Sequence, residues 1–274
     1  MGLIVTADDF GLHPAINDAV EIAHRQGILS AASLMVGAPH FDHAVQVARR
    51  NPELRVGLHL VLADGYSVLP HSVIPDLVDA SGNFPADAMV RDGFRFCYMP
   101  SVRKQLAAEI RAQFEAFEAS GLHLDHANAH KHFHLHPTIL SLMLGIGAEF
   151  GLHAVRVPAA EDASVLIRFW TGLLRHRLRR AGMAFNDHLA GLTHSGKMDE
   201  NQVLNALTTL KAGVTEIYLH PATISGSQIR ESMADYAHAS ELSALCAPSV
   251  RKALQVAEIQ LGGYSDIYPV REEM

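Results

Sequence analysis

Residues 124–137 read Leu-Asp-His-Ala-Asn-Ala-His-Lys-His-Phe-His-Leu-His-Pro, with histidines at 126, 130, 132, 134 and 136 and another at 123. A third of the chain's 18 histidines thus fall within about a twentieth of its length. Imidazole is the commonest protein ligand for transition metals, so this stretch asks for an ion, an oxygen ligand and a base. In an extended segment side chains two apart share a face, which predicts that His130, His132, His134 and His136 point one way. No more than two or three of them can hold one ion. His123, His126 and His136 are left as supporting or surface residues.

The partners lie elsewhere. Asp8 and Asp9 close an apolar run in Val-Thr-Ala-Asp-Asp-Phe-Gly, His59 sits in Val-Gly-Leu-His-Leu, and His220 precedes Pro221 after Glu-Ile-Tyr-Leu. Two imidazoles and one carboxylate leave positions open on a divalent ion, as hydrolysis requires. A second carboxylate can then take the proton of the activated water. Adjacent strand residues face opposite ways, so Asp8 and Asp9 share a site only where the strand ends, and Gly11 permits such a turn. One would bind the ion and the other stay free as base. His220 would face them from the far side as general acid. Each residue alone has a plainer reading: Asp pairs open helices and turns, and a histidine in an apolar strand is commonly a hydrogen-bonded core residue. Their joint placement at the ends of separate strands favours a metal site.

The elements that must position them alternate. Apolar runs at 2–7, 28–36 and 55–62 read as strands, separated by helical patterns at 14–27 and 40–50, the first opening at Pro14 and closing at Gly27. A helix over 101–121 precedes the histidine strand. Beyond it come a helix at 137–150, strands at 153–158 and 188–193, a helix at 199–211 and a strand at 215–220. Helices over 230–246 and 248–257 and a strand near 259 complete the chain. This order predicts an α/β fold: a single (β/α) barrel domain over 1–274, closed or nearly closed with about seven strands, and chemistry at the C-terminal strand ends. Residues 63–100, with four prolines and no sustained period, break the rhythm. They are either a substrate cap or a tolerated surface insertion.

Composition narrows the classes. The chain has 274 residues, 49% hydrophobic and 19% charged, with a formal charge of −7, an ordinary globular balance without the basic field that nucleic acid demands. Cys97 and Cys246 lack metal-ligand spacing and read as reduced thiols. No apolar run reaches the ~18–20 residues of a membrane span, and the first residues do not resemble a signal peptide; a cytoplasmic protein is expected. Residues 164–181 carry apolar Leu166, Ile167, Trp170, Leu173, Leu174 and Leu178 at helical spacing, with Arg168, Arg175, His176, Arg179 and Arg180 largely on the other side. This pattern suits a barrel helix packed on the sheet, and equally a helix lying at a membrane surface.

Thr-Ala-Asp-Asp-Phe-Gly, Val-Gly-Leu-His-Leu, the His-x-His-x-His-x-x-Pro run and Leu-His-Pro-Ala together resemble the YdjC-like carbohydrate deacetylases, over nearly the whole chain. That family is distantly similar to polysaccharide deacetylases, and the texture around the motifs looks like its hopanoid-biosynthesis-associated branch. The resemblance implies Asp9, His59 and His130 as ligands of Mg²⁺ or Zn²⁺, Asp8 as general base and His220 as the acid that protonates a departing amine. It implies removal of an N-acetyl group from an amino sugar, an N-acetylglucosaminyl lipid or a chitooligosaccharide-like sugar. His132, His134 and Arg156 are the expected substrate-binding residues. Relatives of the chitooligosaccharide type read Asp-Ser-His where this chain has Asn128-Ala129-His130, so the carboxylate beside the ligand is missing. A lipid-linked substrate would fit peripheral membrane contact through 164–181; a homodimer is compatible with either substrate. Two rival readings are a metal-dependent phosphoesterase, for which Lys131 and Arg156 would clamp phosphate, and a non-catalytic sugar- or metal-binding module.

Overall fold

The computed structural model describes residues 1–159, 165–224, 228–257 and 259–269, with side chains at 89–91 and 165–167 excepted. The chain opens with β1 (Gly2–Phe10), α1 (Pro14–Gln26), β2 (Ala31–Leu34), α2 (Phe41–Arg50) and β3 (Arg55–Leu60). The 63–100 segment follows, with a small hairpin of β4 (Gly65–Tyr66) and β5 (Asn83–Phe84) and then α3 (Ala88–Tyr98). Next come α4 (Pro100–Ala119), β6 (Ala127–Ala129), a 3₁₀ turn over His130–Leu135, α5 (Pro137–Gly147) and α6 (Val165–Arg180). β7 (His188–Ala190), α7 (Glu200–Thr208), β8 (Val214–Leu219), α8 (His238–Cys246), α9 (Pro248–Val256), β9 (Gln260–Leu261) and α10 (Tyr264–Ile267) complete the order.

Seven strands form one parallel sheet in the order β6-β3-β2-β1-β8-β7, with β9 added against the start of β1. Parallel sheets bury both faces under crossover helices, and β1 is buried along its whole length. The α/β architecture with about seven parallel strands expected from the alternating pattern is present, and the sheet curls into a half-barrel. The strand expected at 153–158 is reduced to single parallel bridges, Ala127↔Val155 and Ala154↔Ala184. These span the gap between β6 and the segment before β7, and the side chain of Asn186 completes the pairing by bonding both N–H and carbonyl of Val157. Arg156 is thereby turned inward and fully buried.

Gly57 lets β3 approach β6. A Cβ there would lie 2.5 Å from the ring of His126, so no larger residue fits at this crossing.

Three expectations need correcting. The histidine run is not an extended strand: pairing of β3 with β6 stops at Leu60↔Ala129, and Lys131 and His132 take positive φ of 53° and 55°. The turn sends alternate histidines to different places. Residues 63–100 are not without period, because Ala88, Asp92 and Phe96 recur at i, i+4 spacing and form the buried face of α3. The helix expected from 230 begins only at His238, and the preceding segment folds over the site, with Met233 buried and a 3₁₀ turn at Glu231–Met233.

Candidate active site

A bulge sets the centre of the site. Between Ala7 and Phe10 the register of β1 against β2 shifts, and Asp9 adopts φ 64°. The sequence reading required the strand to end at Asp8 and Asp9; instead β1 runs on to Phe10, and the bulge re-aims one side chain so that both reach one site. Non-glycine residues in the left-handed region are strained and gather at functional sites. All four among the described residues lie here: Asp9 in the centre, and Asp64, Lys131 and His132 in the pocket wall.

His59 comes from the end of β3 and His130 from the first residue after β6. His130 Nδ1 lies 3.0 Å from Asp9 Oδ1, His59 Nε2 lies 3.3 Å from the same oxygen, and the two nitrogens are 3.3 Å apart. All three residues are buried. Metal–ligand bonds of about 2.0–2.1 Å place neighbouring ligands about 3.3 Å apart in a tetrahedron and about 3.0 Å in an octahedron. The three atoms therefore fit one small divalent ion. A further observation supports the fit: both Asp9 oxygens are buried with only imidazole nitrogens of His59, His130 and His220 facing them, an arrangement that is costly for a carboxylate unless a cation faces it.

Asp8 is bound in bidentate fashion by Arg156, at 2.6 and 3.0 Å. Burial pushes the Asp8 carboxyl up, yet the guanidinium and the nearby His59 and His220 outweigh it and hold it far below the usual range. Arg156 also donates to Glu216 Oε1 at 2.8 Å, and Glu216 accepts from Thr6 and from Tyr264 Oη. Asp8 and Glu216 share this one guanidinium, and Asp9 beside them is a third buried carboxylate with no guanidinium of its own; this excess of negative charge favours a cation at Asp9. Burial pulls the His59 imidazole down, but Asp8 and Asp9 prevail and raise it.

His220, just past β8, closes the far side with Nε2 4.0 Å from Asp9 Oδ2. Its main chain is held at both ends: the N–H donates to Glu241, and the carbonyl accepts from His238 Nδ1. Burial lowers the His220 pKa, with Asp9 and Asp8 opposing. Burial also lifts the Glu241 carboxyl to about 7.

A cavity of about 230 Å³ opens above these groups, lined by Asp8, His59, His130, His220 and, at its wall, Lys131, His132, Ser195, Tyr218 and Tyr236. The structure brings together Asp8, Asp9, His59, His130 and His220. His132 lines the cavity, with Nε2 3.3 Å from Tyr218 Oη. His134 and Arg156 do not line it. His134 is fully buried and bonds the Arg156 carbonyl at 2.8 Å, so both sit beneath the site as supports. His126 is equally buried, between Asp125 and Ser33. His136 caps α5 through Thr138 N and contacts Gly93 O.

Sequence reasoning missed Tyr218, Tyr236 and Asp64. Aromatic residues in or near an apolar strand look like core, and Tyr218 stands out only in hindsight, two residues before His220. Asp64 pairs with Lys131 at 2.7 Å and accepts from Arg230 through its carbonyl, tying three loops together at the mouth.

The family model described as "YdjC-like protein" matches residues 2–256. The chain belongs to the YdjC-like family. It is 31% identical over 272 residues to a protein of Brevibacillus brevis named carbohydrate deacetylase, covering 97% of this chain and 100% of that one. Among solved structures it is similar to a protein of Enterococcus faecalis V583 that carries the provisional description of a cellobiose-phosphate cleavage protein. That likeness has a TM-score of 0.78 and 25% identity, over 97% of this chain and 98% of the other. The Xyl-CE4 domain of a multidomain xylanase from the hindgut metagenome of Trinervitermes trinervoides shares the fold alone, at TM-score 0.50 and 10% identity, over 97% and 88% of the two chains.

Proposed function

We propose that this YdjC-like protein is a metal-dependent carbohydrate deacetylase that hydrolyses the N-acetyl group of an amino sugar. The observation that carries the reading is the convergence of Asp9, His59 and His130 on one point, with Asp8 and His220 flanking it at the floor of a single cavity. Relatives of about 30% identity that bear the name carbohydrate deacetylase agree with it. A divalent ion, Mg²⁺ or Zn²⁺, held by Asp9, His59 and His130 would supply Lewis-acid chemistry, polarising the acetyl carbonyl and making water acidic. Asp8, kept ionised by Arg156, takes the proton of the water whose oxygen bonds to the acetyl carbon. His220 delivers a proton to the amide nitrogen as the C–N bond breaks, and acetate and the free amine leave. His132, Tyr218 and Tyr236 present edges and hydroxyls on which a sugar ring can rest. Arg156 and His134 act from beneath: one orients the base, the other holds the first in place.

The phosphoesterase reading fares worse. Both cations expected to clamp phosphate are engaged, Arg156 with Asp8 and Glu216 and Lys131 with Asp64.

For the substrate we favour a lipid-linked N-acetylglucosaminyl compound met at a membrane surface, with residues 63–100 as the cap. Two exposed apolar groups support this: Phe94 and Tyr98 on α3, and Phe169, Trp170 and Leu173 on α6. Both flank one turn, since the carbonyl of Gly93 contacts His136 and the Trp170 indole donates to the carbonyl of Leu135. Exposed Arg168 of α6 and Arg103 and Lys104 of α4 are cations near them in sequence, the charge that anionic headgroups attract. No described helix is long and apolar enough to cross a membrane. The test is acetate release from N-acetylglucosaminyl substrates that differ only in aglycone. The proposal expects a lipid aglycone to be preferred over a second sugar, and the opposite preference would reject the lipid-linked substrate while leaving deacetylation intact.

A further inference from the structure

Asn128 sits where β6 pairs with β3, directly beside His59. One end of its amide lies 2.6 Å from His59 Nδ1, and the other lies 2.8 and 3.0 Å from the two terminal nitrogens of Arg156, 2.8 Å from Ser33 Oγ and 3.3 Å from Asp8 Oδ1. A guanidinium only donates, so the end facing Arg156 is the oxygen. The amide NH₂ then faces His59, and because it too only donates, Nδ1 must accept. A neutral imidazole that accepts at Nδ1 carries its proton on Nε2. That is the atom directed at Asp9 Oδ1 and His130 Nδ1, and its lone pair is needed to hold an ion.

Ligation requires the other tautomer. Metal-binding histidines donate their second N–H to a carboxylate, carbonyl or water. For His59 this means that Nδ1–H faces the Asn128 oxygen, which turns the NH₂ toward Ser33. The turned amide is well served on that side: Ser33 Oγ lies 3.2 Å from His126 Nε2, and His126 Nδ1 lies 2.9 Å from Asp125. A continuous chain of donors would then run from the ligand to a buried carboxylate. Asp8 Oδ1 at 3.3 Å accepts from the turned NH₂ as well; the opposing contacts are the two Arg156 nitrogens at 2.8 and 3.0 Å, which would face it donor to donor. A carboxylate at 128 would accept from Arg156 and His59 together without that donor-to-donor conflict, with Arg156 between it and Asp8 to balance the two negative charges.

We propose that Asn128 is a positioning residue whose amide reverses when the ion binds, so that Arg156 competes with the ion for its orientation and holds affinity below that of a carboxylate at this place. This rests on the assignment of Asp9, His59 and His130 as the ion's ligands. The test begins without metal. Histidine-labelled ion-free protein is observed by ¹⁵N NMR at a pH where His59 is neutral. The proton is expected on Nε2 in the wild type and on Nδ1 in Asn128→Asp; Nδ1–H in the wild type overturns the proposal. Chelator competition with Zn²⁺ and with Mg²⁺ then compares the two proteins. Asn128→Asp should bind about ten- to a hundredfold more tightly, and affinity equal within twofold, or weaker, also overturns it. If neither protein binds an ion, the metal-site reading itself fails, and the wild-type tautomer still decides whether Asn128 donates to His59.

Discussion

At the scale of single residues, the account divides labour between neighbours. Asp8 and Asp9 are adjacent in sequence, yet one meets a guanidinium and the other meets only imidazole nitrogens. Asp8→Asn should keep the ion and lose nearly all turnover, about 10²–10⁴-fold for a missing base. Asp9→Asn should lose the ion as well. Metal content by plasma emission spectrometry separates them, and an equal fall in both would break the assignment. Arg156 carries a pH prediction. It holds the Asp8 carboxyl below its ordinary value of 3.8, so stability from this pair is complete above that value and is lost as pH falls through the depressed one. Arg156→Lys keeps the charge but loses the bidentate fork, and burial then raises Asp8. The acidic limb of the rate profile should therefore move to higher pH, and the gap in Tm between the two proteins should narrow below about pH 4. A profile that does not move would show that Arg156 does not tune the base.

At the scale of elements, the strand ends were the readable part. Apolar runs that finish in Asp8-Asp9, in His59-Leu60 and in His220 place polar groups at one end of a parallel sheet, and β1, β3 and β8 do so. The histidine run was readable as a ligand source but not as a shape. Even spacing suits a strand, and nothing in the residue types announces that Lys131 and His132 would turn left-handed. The segment at 153–158 also looked like a strand, but lone bridges and the Asn186 side chain take the place of a ladder. Within β3, Gly57→Ala should cost about 1–3 kcal/mol by overpacking, because the added Cβ meets the His126 ring; thermal denaturation measures it. For α6 the apolar stripe splits. Leu174 and Leu178 pack inward while Trp170 and Leu173 face out with Phe169, and the side chains of Leu166 and Ile167 lie outside the described residues. Wild-type protein should co-sediment with anionic liposomes at low salt, and Phe169→Ser/Leu173→Ser should reduce this several-fold. Wild type that stays in the supernatant would remove the membrane contact and leave the hydrolytic site untouched.

At the scale of the molecule, one curled parallel sheet gathers groups from residues 8 to 220 into a cavity of about 230 Å³, and the C-terminal segment braces it from below through Tyr264 and Ser265 on Asp125 and Glu216. That bracing was invisible in the sequence, because Asp125, Glu216 and Tyr264 carry no spacing that links them. The central claim is that an ion held by Asp9, His59 and His130 is needed to hydrolyse an acetamido group. It is tested most directly by stripping the protein with chelator and following acetate release from an N-acetylglucosaminyl substrate as Mg²⁺ or Zn²⁺ is returned. The account predicts no acetate from stripped protein, recovery with one equivalent of the right ion, and no recovery for His59→Ala or His130→Ala. Full activity in the stripped wild type would contradict it.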